Sequence, residues 1–195
     1  MNVASQKFND ILDRLTSNEM LEGKGRGNEI GFYIFDYLPE DELKIREAIP
    51  FLMQHLPRRR PGLRVGHVNL FDLIIEHLEE RHLLQKAIEQ ARKKGDKFLL
   101  KALENPLDPQ KIAKVFEQKC PLENYDLFLL SGAGSVYPVL RTHSLLTALH
   151  PVIQDKPLVL FFPGTYDGLS LKLFGKLKDD NYYRAFKLLP DRGRQ

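Results

Sequence analysis

Two short runs constrain this chain more than any other feature. DLFLL (126–130) and LVLFF (158–162) are nearly free of polar residues and show no polar/apolar alternation. A half-buried strand alternates, because successive side chains point to opposite faces. A strand without alternation is apolar on both faces, which suits the interior of a parallel sheet covered by helices on each side. A glycine-containing loop comes after each run, SGAGS at 131–135 and PGTYDG at 163–168. If the strands are parallel, both loops leave the carboxyl edge of the sheet, where open α/β sheets place their ligands.

The flanking segments supply the covering helices. Phe8, Ile11, Leu12 and Leu15 recur at helical spacing, so residues 1–28 read as an N-terminal helix and a flexible glycine-rich linker. IGFYIFDY (30–37) is an aromatic strand, and Pro39 with the acids after it starts a helix whose inner face carries Ile45, Ile49, Leu52 and Leu56. Pro50 lies inside that pattern and predicts a kink or a break. VGHVNL (65–70) reads as the second strand, with Asn69 or Asp72 capping the next helix. Residues 71–118 favour helix throughout, interrupted at Gly95 and restarted at Asp108-Pro109. This helical excursion between strands two and three exceeds an ordinary crossover and is an expected partner surface. Residues 182–188 close with an edge strand. The alternation predicts a single α/β domain over 1–195, a Rossmann-like three-layer sandwich with a mostly parallel sheet of four or five strands.

Composition excludes several chemistries. The apolar fraction is 43% and the net charge only +3, ordinary for a globular protein. A lone cysteine, Cys120, rules out an internal disulfide and a multi-cysteine metal site. The N-terminus lacks a signal-peptide core and no apolar run approaches the ~20 residues of a membrane span, so a cytoplasmic location without membrane contact is expected. GxxxxGK[ST] is absent, and Tyr137 stands where GxGxxG requires its last glycine. GxSxG is absent as well, and the six histidines form no metal spacing. Neither catalytic residues, metal nor cofactor is expected. Two alternatives survive on the residues: an anion- or nucleotide-binding switch at the 131–135 loop with Arg141, and DNA contact through Arg58, Arg59 and Arg60 or the basic residues between Arg92 and Lys101.

Three blocks, SGAGSVYPVLRTHSLLTALH, FFPGTYDGLSLKLFGKL and DDNYYRAFKLL, together resemble the BrxB family of the BREX bacteriophage-exclusion systems. The resemblance implies a cytoplasmic component of a multi-protein defence system that works beside an alkaline-phosphatase-like PglZ protein, a methyltransferase and an AAA+-type ATPase. It implies a non-catalytic adaptor binding a larger BREX protein, PglZ first. The shared blocks map candidate binding or interface positions onto Gly132, Gly134, Ser135, Arg141, His143, Pro163, Gly164, Tyr166 and Arg184.

Overall fold

The computed structural model describes residues 3–22, 31–178 and 185–190 of the chain. Five strands form a parallel sheet in the order β2 (Val65–Asn69), β3 (Leu127–Ser131), β4 (Leu158–Tyr166), β1 (Phe32–Tyr37) and β7 (Phe186–Lys187). Two short strands, β5 (Leu171–Leu173) and β6 (Leu177–Lys178), fold back antiparallel on the end of β4. The fold is thus α/β with a mostly parallel sheet. The two non-alternating runs are its adjacent central strands, and every residue of β3 is buried.

The sheet separates two cores. Alternate residues of the central strands, including Phe128, Leu130, Leu158, Leu160 and Phe162, face α4 (Leu70–Glu80), α7 (Pro109–Lys119) and α8 (Thr142–Ile153). Their neighbours Leu127, Leu129, Val159 and Phe161 face α1 (Val3–Leu15) and α3 (Glu42–Arg59). The chain crosses from β1 to β2 in one direction and returns through β3 to β4 in the other. With a constant crossover hand, that reversal puts the connecting helices on opposite faces.

Local signals account for most boundaries. The Asn69 Oδ1 accepts the Phe71 N–H at 2.9 Å and caps α4. The Asp108 carboxylate accepts the Gln110 and Lys111 amides at 3.0 and 3.3 Å, and Pro109 occupies the first turn of α7. The excursion also contains α5 (Leu84–Lys94) and α6 (Asp96–Leu103), separated at Gly95 with φ +80°. Two expectations change. α3 runs unbroken through Pro50 and Pro57. Both prolines are on the exposed side, where the carbonyls they leave unpaired face water. The segment after Phe162 is not a loop: β4 continues to Tyr166, because Gly164, Thr165 and Tyr166 pair with β5. Residues 23–28 of the glycine-rich linker and residues 182–184 of the expected closing strand fall outside the described residues. Among the described residues no helix is long and apolar enough to cross a membrane.

The candidate functional site at the carboxyl edge

Parallel pairing brings the ends of β1, β2, β3 and β4 to one edge, and with them most of the candidate residues. The glycines there serve close packing. Gly132 has φ +79°, and a Cβ on it would lie 2.4 Å from the Asn69 Oδ1 that caps α4. A Cβ on Gly134 would meet Pro163 Cγ at 2.9 Å and Phe174 Cε1 at 3.0 Å, so the β3 loop lies directly on the β4 hairpin. On Gly164 it would come within 2.2 Å of the Lys172 carbonyl oxygen, inside the β4–β5 pairing. The Ser135 N–H closes a turn on the Gly132 carbonyl at 3.1 Å. The next peptide but one, Tyr137–Pro138, is cis.

Tyr166 is 1% exposed and turned inward. Its hydroxyl lies 2.9 Å from the carbonyls of Gly168 and Ala185, and accepts the Ala185 N–H at 3.1 Å. The Tyr166 N–H donates to Asp36 Oδ2 at 3.0 Å, and Lys187 Nζ lies 3.8 Å from the same oxygen. One residue thereby fastens β7 and the end of β4 to β1. Pro163 and Gly164 are buried too, Gly134 and His143 are half-buried, and only Ser135 and Arg141 of the described candidates are exposed. Arg184 lies outside the described residues.

A polar chain that the sequence does not announce crosses this edge. The Tyr37 hydroxyl donates to Glu42 Oε2 at 2.5 Å, Arg46 Nε donates to Glu42 Oε1 at 2.9 Å, and Arg46 Nη2 donates to Ser135 Oγ at 3.3 Å. Burial, together with the hydrogen bond to Glu42, pushes the Tyr37 phenol up and keeps it a donor. The chain ties the start of α3 to the β3 loop. Glu42 and Arg46 sit four apart on α3, and that spacing is their only signal in the sequence.

A second pair invites a catalytic question. His67 Nε2 lies 2.9 Å from Ser131 Oγ, joining the ends of β2 and β3. Burial holds the imidazole below its ordinary range, so it is neutral at pH 7. A nucleophile of this kind needs a base oriented by a third group and room for a reacting carbonyl. Asp72 acts on His67 only through its charge, and Ser131 is 6% exposed. The pair as arranged is a cross-strand tie. Burial likewise pushes the Cys120 thiol up, which keeps it protonated and unreactive. Asp167 is held down to about 2 by the Ser170 and Leu169 amides, an Asx-turn that orders the β4–β5 connection.

What the edge offers outward is a patch rather than a pocket. Tyr137, Phe174 and Leu177 are 39%, 37% and 41% exposed. The Arg141 guanidinium stands beside Tyr137 and Leu177 and makes no hydrogen bond or ion pair with any described residue. Arg141, Tyr137, Thr142 and Leu177 line a depression of about 60 Å³. Small-molecule sites run to roughly 300–1,000 Å³, so this depression is the size of a side-chain tip rather than of an enclosed ligand site. The basic run at the end of α3 is engaged internally. Arg59 pairs with Asp13, and Arg60 Nη1 donates to the Thr16 carbonyl at 2.8 Å and to Asn18 Oδ1 at 2.7 Å. Those contacts dock α1 and the short α2 (Asn18–Leu21) and engage two of the three guanidiniums named in the DNA-contact alternative.

Comparison with known proteins gives these blocks a context. The family model described as BREX protein BrxB matches residues 66–188, from β2 to β7. A BREX protein BrxB from Bacillus cereus (strain H3081.97) is 41% identical over 189 residues, covering 95% of this chain and 97% of its own length. Another, from Escherichia coli O9:H4 (strain HS), is 38% identical over 191 residues, covering 98% of this chain and 94% of its own. No solved structure matches. With the match spanning the parallel strands and the edge they build, the chain belongs to the BrxB family.

Proposed function

We propose that this protein is a non-catalytic cytoplasmic adaptor in a BREX phage-defence system, and that it binds a larger BREX protein such as PglZ through the carboxyl-edge patch around Arg141. One observation carries the reading: a guanidinium without a partner among the described residues, beside exposed Tyr137 and Leu177, on a frame where Tyr37, Glu42, Arg46, His67 and Ser131 are hydrogen-bonded internally. Arginine beside an exposed tyrosine is a composition enriched in interface hot spots. The guanidinium also specifies the partner's chemistry, since its fork fits a carboxylate in bidentate fashion.

The test is co-expression of the tagged protein with PglZ and quantification of the retained complex. Wild type should retain PglZ, and Arg141→Glu should lose it at least tenfold while keeping its thermal midpoint. Failure of wild type to retain PglZ at micromolar concentration refutes the partner. Equal retention by R141E and by Leu177→Asp refutes the surface.

A further inference from the structure

A second surface lies away from Arg141, on the helical excursion. α4, the α5–α6 pair and the loop after β3 enclose a cleft of about 300 Å³. Only two of its lining residues, Arg92 and Ser135, carry polar side chains. Its floor is Ile74, Leu78, Leu103 and Leu107, all buried. Its outer wall is α5, where Leu84, Ala87, Ile88 and Ala91 form one apolar stripe yet no residue is buried. An amphipathic helix normally buries its apolar face. Here that face lines an open cleft, and Phe71 and Ile88 at its rim are 45% and 36% exposed.

Size and charge define the occupant. An apolar cavity of about 150 Å³ holds one benzene-sized group, so this one takes about two bulky side chains. Two such anchors one turn apart are what an amphipathic helix presents to a groove. The α5–α6 pair (84–103) carries six basic and two acidic side chains, a net of +4, whereas the whole chain carries +3. The positive charge of the molecule is therefore concentrated on the wall of its apolar cleft, with Arg92 at the lining itself. We infer that this cleft is a docking groove for an amphipathic helix with acidic flanks, supplied by a BREX protein of the same system. The inference rests on the adaptor reading and gives the adaptor a second hand, since the loop at 133–140 places Val136 and Val139 in the cleft and Tyr137 at the Arg141 depression.

The tagged chain is co-expressed with the other BREX proteins of its own system, and each retained protein is quantified. Ala91→Glu puts a carboxylate into the cleft, and Lys93→Glu/Lys97→Glu/Lys101→Glu reverses the charge of the α5–α6 pair using exposed residues only. Both variants should lose one BREX protein at least tenfold, and the wild-type complex with it should weaken as salt rises. R141E should leave that protein bound. Retention of every partner by both cleft variants, with PglZ still lost from R141E, overturns the groove and leaves the adaptor reading standing. If wild type retains no BREX protein at all, both fall. A self-associated chain that becomes monomeric in A91E, or a co-purified apolar small molecule lost from A91E in native mass spectrometry, assigns the cleft to another occupant and also overturns the proposal.

Discussion

Tyr166→Phe removes one oxygen and nothing else, and it separates packing from recognition at a position the family blocks single out. The hydroxyl accepts the Ala185 N–H and has a single proton for the carbonyls of Ala185 and Gly168. Gly168 is exposed, so its carbonyl takes a water instead. Ala185 is buried, so its N–H and C=O are left without partners. A buried polar group that loses its partner costs about 1–3 kcal/mol. For the two groups together the loss is about 2–6 kcal/mol, or roughly 4–24 °C in melting temperature for a domain of this size. The consequence is local as well as global. Leu188 donates its N–H to the Ile34 carbonyl at 2.8 Å, and Ala185 is the anchor just before it. Urea denaturation should show the loss in the midpoint, and amide exchange at Leu188 should accelerate about thirtyfold or more. A change below about 0.5 kcal/mol with unchanged exchange at Leu188 would refute the assignment. So would a fully stable Y166F that no longer retains PglZ, which would make the hydroxyl a recognition group.

The same edge yields three further expected outcomes. Gly164→Ala forces a methyl against the Lys172 carbonyl and should open the β4–β5 pairing, costing about 2 kcal/mol or more; limited proteolysis within 167–178 reads it, with Thr165→Ala, at an exposed neighbour, as the control. Asn69→Ala deletes the α4 cap and should lower stability by about 1 kcal/mol in a urea titration. His67 titrates below its ordinary value in the folded protein, so the unfolded chain binds the proton more tightly. Stability from this group is complete above the ordinary pKa of about 6.5 and declines as pH falls toward the depressed folded value. Urea midpoints at pH 7.5 and 5.5 should therefore differ in wild type and converge in His67→Gln; equal slopes in the two proteins would disprove the assignment.

The central strands were legible because burial on both faces demands an unbroken apolar run, and DLFLL and LVLFF meet that demand without help from distant residues. The same locality made the Asp108-Pro109 start and the Gly95 break readable. What escaped depends on neighbours far away in sequence. Gly164 looks like a turn residue until the Lys172 carbonyl is placed against it, and Gly132 like a phosphate-loop glycine until Asn69 is. Pro50 breaks a helix on propensity, but on the exposed side of a well-packed α3 the helix continues. Apolar periodicity in α5 is identical for a core face and for an open cleft, so the stripe of Leu84, Ala87, Ile88 and Ala91 could not announce that its burial is incomplete. Charge pattern alone likewise could not announce that Arg59 and Arg60 hold the α1–α2 segment in place, since those contacts join residues more than forty positions apart.

Strand order also sets a timetable for synthesis. β2, β3 and β4 are neighbours in space in the order in which they are made. β1 is made first, yet its central partner is β4, with Phe32 opposite Leu158, and its other partner is β7 near the end of the chain. On a ribosome the aromatic strand FYIFDY has no sheet to join until nearly all of the protein has emerged. Long-range pairing of this kind folds slowly and leaves a sticky strand exposed while it waits. The β2–β4 block can assemble as a nucleus, and β1 then closes the sheet as a late arrival. A truncation that removes β4 therefore strands the N-terminal third as an aggregation hazard, while a cell that makes the whole chain is exposed to that hazard only during translation.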